Sequence, residues 1–191
     1  MMGRGMDPPF PSSASAPATP ATDRGFHRPA WRVGLLGFLA PGAYELWWLW
    51  QLFAFTRRER FPRARAFWWI LIPFYGLYVI YQRFDDLKKA LQRASSPVRL
   101  SAAGAIGLFI ASVVAGSGGN RATARSGLGF FVLSGVFFAA AAYLVQRAAN
   151  AYQEAGYPGR LAGGMTTGEV IATVIGVIIF AFAILGALVG G

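Results

Sequence analysis

The chain holds few side chains that could do chemistry. It has no cysteine and one histidine, His27, so thiol catalysis, disulfides and Cys/His zinc sites are excluded by inventory. The acid that stands out is Glu45, set in GAYELWWLWQLF at residues 42 to 53, beside Tyr44 and among tryptophans. A carboxylate in so apolar a run reads two ways. It occupies the first turn after the Pro41/Gly42 break, where free backbone N–H groups and the helix dipole favour negative charge; or it marks an ion or substrate path at membrane depth. With Tyr44 and Tyr75 it forms the candidate intramembrane polar site. Asp85 and Asp86 are adjacent, would diverge on a helix and have no further ligand beside them, which argues against a metal pair. Asp85 instead stands four residues before Lys89, a supporting pair on one helix face. Ser134 and Thr173 are lone hydroxyls suited to helix packing. The expectation is no catalytic residue, no metal, no cofactor and no enzymatic activity.

The elements that carry these residues have the composition of a membrane protein. Of 191 residues, 55% are hydrophobic and 14% charged, against roughly 25% charged in an ordinary soluble domain; mean hydropathy is +0.44. Eighteen Lys and Arg against 8 Asp and Glu leave a net charge of +10. Nucleic acid is not the expected partner, because no recognition motif accompanies that charge. The basic residues sit at the ends of apolar runs, where they orient a segment and meet anionic headgroups. In TRRERFPRARAFWW, Arg57, Arg58, Arg60, Arg63 and Arg65 alternate with aromatic and proline residues. These five, with Trp47, Trp50, Trp68 and Trp69, are the candidate lipid-headgroup contacts.

Three regions follow. Residues 1 to 30 are a Pro/Ser/Ala-rich tail expected to be disordered. Residues 31 to 94 form an aromatic, arginine-rich membrane repeat pair ending in an amphipathic surface helix at 83 to 94. Residues 95 to 191 are expected to be a three-helix transmembrane bundle. The fold class is an all-α integral membrane protein with five hydrophobic segments, at residues 33 to 55, 66 to 81, 102 to 116, 128 to 145 and 170 to 189. The first two are broken by proline; the last three are built from small and aliphatic residues. Ala103, Gly107, Ala111 and Ala115 make one helical stripe, and Ala172 with Gly176, then Ala183 with Ala187, make others, the pattern of helices that approach closely in lipid. Thr166 and Glu169 fit a capping box ahead of the fifth segment.

The first two segments repeat. A shift of 31 positions superposes YELWWLWQLF, from Tyr44, on YGLYVIYQRF, from Tyr75, matching Tyr44 to Tyr75, Leu46 to Leu77, Gln51 to Gln82 and Phe53 to Phe84. On these residues the stretch from Val33 to Arg93 resembles the small bacterial integral-membrane domains of unknown function built on a paired G-x-Y-x-x-[WY] aromatic unit. Gly42, Tyr44 and Trp47, then Tyr75, Gly76 and Tyr78, carry the resemblance, with the second glycine displaced past its tyrosine. It implies a membrane location and no particular activity.

Two topologies fit. If all five segments cross, the basic residues divide almost evenly between the two sides. If both broken segments dip in and return, all but Arg121 and Arg125 gather on the cytoplasmic side, as the positive-inside rule favours. Irregular backbone is costly in lipid, which tips the sequence reading to five crossings. Either way the chain is multi-pass in the inner (plasma) membrane, with its N-terminus cytoplasmic and its C-terminus outside. The expected function is a non-catalytic structural or accessory subunit engaging the bilayer through anionic headgroups, or a membrane-protein partner or second copy; the alternative is a small transporter or channel using the broken helices around Glu45.

Overall fold

A computed structural model of the chain describes residues 26–72, 74–119, 124–156 and 164–189. It is all-helical, 81% in helices and without strands among the described residues. Among the described residues six α-helices run in order: α1 (Ala30–Leu39), α2 (Ala43–Arg58), α3 (Tyr75–Arg93), α4 (Ala102–Gly119), α5 (Ala124–Gly156) and α6 (Thr167–Val189), with a 3-10 segment at Phe67–Leu71 before α3. Among the described residues, two stretches are long and apolar enough to cross a membrane, Gly127–Gly156 in α5 and Thr167–Gly186 in α6; α4 is apolar but shorter. Five hydrophobic segments were expected; the breaks take the first two out of that set, and α4 falls short by length alone. Pro41 and Gly42 stop α1 after 10 residues, and Gly42 leaves the helical region at φ 79°, a value that favours glycine. Phe74, beside Pro73, has φ 60° before α3, which costs a bulky residue of order 1–3 kcal/mol and needs surrounding structure to hold it.

At 33 residues, α5 is the spine and packs against α1, α3, α4 and α6. It runs antiparallel to α4, as Phe109–Phe138 ring contact at 6.2 Å and the Ser134 Oγ bond to the Ser112 carbonyl at 2.8 Å fix. The contact face of α4 is Ala102, Ala105, Phe109, Ser112 and Ala115. The expected stripe is only partly on that face: Ala115 is buried, whereas Ala103 and Gly107 are exposed and a Cβ on Gly107 would meet nothing within 4 Å. The α6 stripe holds at Gly176, where an added Cβ would fall 2.3 Å from the Cβ of Ala40; the side chains of Ala183 and Ala187 lie outside the described residues.

Both broken segments fold back on themselves. α1 rises only about 15 Å to its tip at Ala40 against Gly176, and α2 returns until the ring of Phe55 stacks on Phe26 at 5.2 Å. The second unit does the same on a smaller scale. Arg65, before the 3-10 segment, gives its carbonyl to Arg83 Nη2 at 3.3 Å on the far arm, and Gly76 passes so close to Ile70 that any Cβ would lie 2.2 Å from its carbonyl oxygen.

The repeat is structural. Trp48, Leu49, Leu52, Phe53, Phe55 and Thr56 are buried on α2, and the residues 31 positions later, Val79, Ile80, Arg83, Phe84, Asp86 and Leu87, are buried on α3. Two expectations change accordingly. Residues 83 to 94 are not a separate surface helix but the continuation of α3, held by Phe84, Leu87, Ala90 and Leu91 against the core. The tail also ends earlier than residue 30, because Phe26 and Arg28 are buried; residues 1–25 lie outside the described part.

Candidate functional site

Glu169 begins α6 with half of a capping box: its N–H donates to Thr166 Oγ1 at 3.2 Å. The carboxylate does not complete the box. It is fully buried and accepts from Arg28 Nε at 3.2 Å, Arg32 Nη2 at 3.4 Å and the Tyr44 hydroxyl at 3.4 Å. Burial pushes the Arg28 guanidinium below its usual value while Glu169 pulls it up, and the same guanidinium lies 4.8 Å over the Trp47 ring. Gln146 on α5 extends the network. It donates to the Phe26 carbonyl at 2.8 Å and accepts from Trp48 Nε1 at 3.0 Å; Asn150 donates to the Arg28 carbonyl at 2.6 Å. One polar pin thus joins the entry to α1, the return of α2, the lower half of α5 and the start of α6.

A second ionic cluster closes the second hairpin. Arg63 bonds Asp85 at 2.8 Å and also bonds Asp86, while Lys89 takes Asp85 at 2.8 Å. These partners, Lys89 and then Arg63, hold the Asp85 carboxyl below its usual range. Arg83 is fully buried, 5.1 Å from the Phe53 ring and 3.9 Å from Asp86, and burial lowers it to about 10. Its Nε and Nη1 find no hydrogen-bond partner among the described residues.

The expected polar site does not assemble. Tyr44 points at Glu169, whereas Tyr75 packs against Trp69 at 5.6 Å and under Arg65 at 5.5 Å. Glu45 is half-buried and its carboxylate accepts the backbone N–H of Gly42, which matches the helix-start reading of this acid. The headgroup set divides. Trp50, Trp68, Trp69, Arg57, Arg58, Arg60 and Arg65 are exposed, and Trp50, Phe67, Trp68 and Arg57 line a cleft of about 60 Å³. Trp47 instead faces inward, its Nε1 2.8 Å from where a Cβ on Gly168 would sit, and Arg63 is engaged by the two aspartates.

The residues that sequence reasoning missed are Arg28, Arg32, Gln146 and Asn150. Spacing gave a partial signal, since Gln146 and Asn150 are four apart on one helix face; nothing in the sequence joins them to Glu169. Among the described residues no group of His, Asp and Glu could hold a metal ion. No protein-family model, curated protein or solved structure matches the chain.

Proposed function

We propose that the chain is a non-catalytic multi-pass protein of the inner membrane that crosses with α4, α5 and α6 and seats two hairpins in the cytoplasmic leaflet, where their aromatic and arginine rim engages anionic headgroups or a partner membrane protein. The observation that carries this reading is the joint position of Phe26 on Phe55 and Ala40 on Gly176. Both ends of the first hairpin lie at one end of the bundle, and its tip reaches about halfway along the roughly 30 Å apolar length of α6. The α1–α2 turn is then covered by α6, as irregular backbone in lipid requires. Exposed Val170, Ile171, Val174, Ile175, Ile178 and Phe182 on α6 suit a lipid environment. In this arrangement only Arg121 and Arg125 belong to the outer side, as the positive-inside rule favours. The resemblance to paired aromatic membrane domains stands on Gly42, Tyr44, Trp47, Tyr75, Gly76 and Tyr78 and agrees with the same location.

The transporter alternative rests on Glu45 at the hairpin tip. Purified protein in liposomes is expected to pass no ions or small solutes, with Glu45→Gln indistinguishable from the parent. Glu45-dependent flux would put the transporter in place of the headgroup-binding reading.

A further inference from the structure

The second half of α3 and the turn that follows it enclose a cleft of about 500 Å³, within the range of small-ligand sites, about 300–1,000 Å³. Its polar lining is Lys88, Gln92, Ser96 and Arg99, and its apolar floor includes Leu91 and Leu100; among the described residues no acid lines it. Lys88 and Arg99 take part in no ion pair among the described residues, in contrast to Lys89 one position along, which is held by Asp85. The height of the cleft follows from helix register. Phe109 meets Phe138 and Phe131 meets Phe180, so antiparallel counting sets Ala102 opposite Val145 and Thr167 opposite Leu144. The base of α4, three residues after Arg99, is therefore level with the start of the apolar run of α6. Two unpaired cations above buried leucines at that height meet the requirements of a lipid phosphate with its acyl chains below.

We propose that this cleft binds the phosphate of an anionic phospholipid of the cytoplasmic leaflet, with Lys88 and Arg99 on the phosphate oxygens and Gln92 and Ser96 donating at its edge. This rests on the membrane reading above but names a site remote from the aromatic rim. The test is native mass spectrometry of the full chain in neutral detergent, titrated with phosphatidylglycerol, phosphatidylcholine or water-soluble glycerol phosphate. The parent is expected to retain phosphatidylglycerol over phosphatidylcholine. Lys88→Gln with Arg99→Gln should bind it roughly 30-fold more weakly, with an unchanged melting temperature in the absence of lipid. Phosphatidylglycerol affinity unchanged in the double variant would overturn the cleft alone. A parent with no preference would sink the headgroup reading together with it, and glycerol phosphate binding as tightly as phosphatidylglycerol would remove the lipid from the proposal.

Discussion

The two hairpins are built on one sequence unit and differ in what they bury. In the first, the positions facing the core at 52 and 55 are Leu and Phe; in the second, the equivalent positions 83 and 86 are Arg and Asp. The first hairpin has a 10-residue α-helical arm and a tip on Gly176, and it is pinned from outside by Glu169 of α6. The second has only a five-residue 3-10 arm, and its own charges tie its ends together. A short arm buries little apolar surface, so ionic ties hold a hairpin that packing alone would leave loose. Such ties are costly to cut, because a buried charge that loses its partner is not resolvated.

That difference sets the largest expected effect. Asp86→Leu leaves Arg83 buried without its carboxylate and should lower stability by about 3–5 kcal/mol, read as a drop in melting temperature in detergent. Adding Arg83→Leu, which gives the second hairpin the apolar pattern of the first, should restore most of that loss. A double variant no better than the single would mean that the ion pair is not what separates the two units.

A smaller effect is expected from close approach. Gly176→Ala puts a Cβ against both the backbone and the side chain of Ala40, and separating them should cost about 1–3 kcal/mol. Gly107→Leu should change the melting temperature little, within about 0.5 kcal/mol, because its surroundings are open. Equal losses at the two glycines would mean that α4 packs through its Gly107 face.

The smallest effect is on acid stability. Asp85 has a folded pKa below its unfolded one, so the stability it contributes is complete above about pH 4 and is lost as pH falls through the folded value. Asp85→Asn should therefore melt below the parent at neutral pH, and the two melting temperatures should converge as pH falls through that acid range. A difference that persists unchanged into acid would contradict this.

Much of the architecture was legible in local chemistry. Pro41, Gly42 and Pro73 announced the breaks, the 31-residue shift gave the shared burial register, and the first-turn position of Glu45 foretold its backbone bond. Direction was not legible. A broken apolar segment of some 23 residues is long enough either to cross or to fold back, and the choice is made by contacts such as Phe26 with Phe55 and Ala40 with Gly176, which no local pattern encodes. The face of α4 was misjudged in part because Ala and Gly occur all round that helix: Ala102 and Ala105 compete with Ala103 and Gly107, Ala115 belongs to both sets, and only Phe109 and Ser112 choose between them. Thr166 and Glu169 were recognisable as a cap, yet Arg28 lies 141 residues from Glu169, and their pairing is a product of the tertiary fold.

The hairpin reading is tested most directly at the loop between the two units. The chain has no native cysteine, so single cysteines can be placed at exposed Pro62, Arg93 and Ser117 and treated in intact cells with a membrane-impermeant maleimide. With both hairpins seated in the cytoplasmic leaflet, Ser117→Cys reacts, while Pro62→Cys and Arg93→Cys react only after the membrane is opened. Reaction of Pro62→Cys in intact cells, with Arg93→Cys still protected, would mean that each broken segment crosses the membrane and would contradict the account.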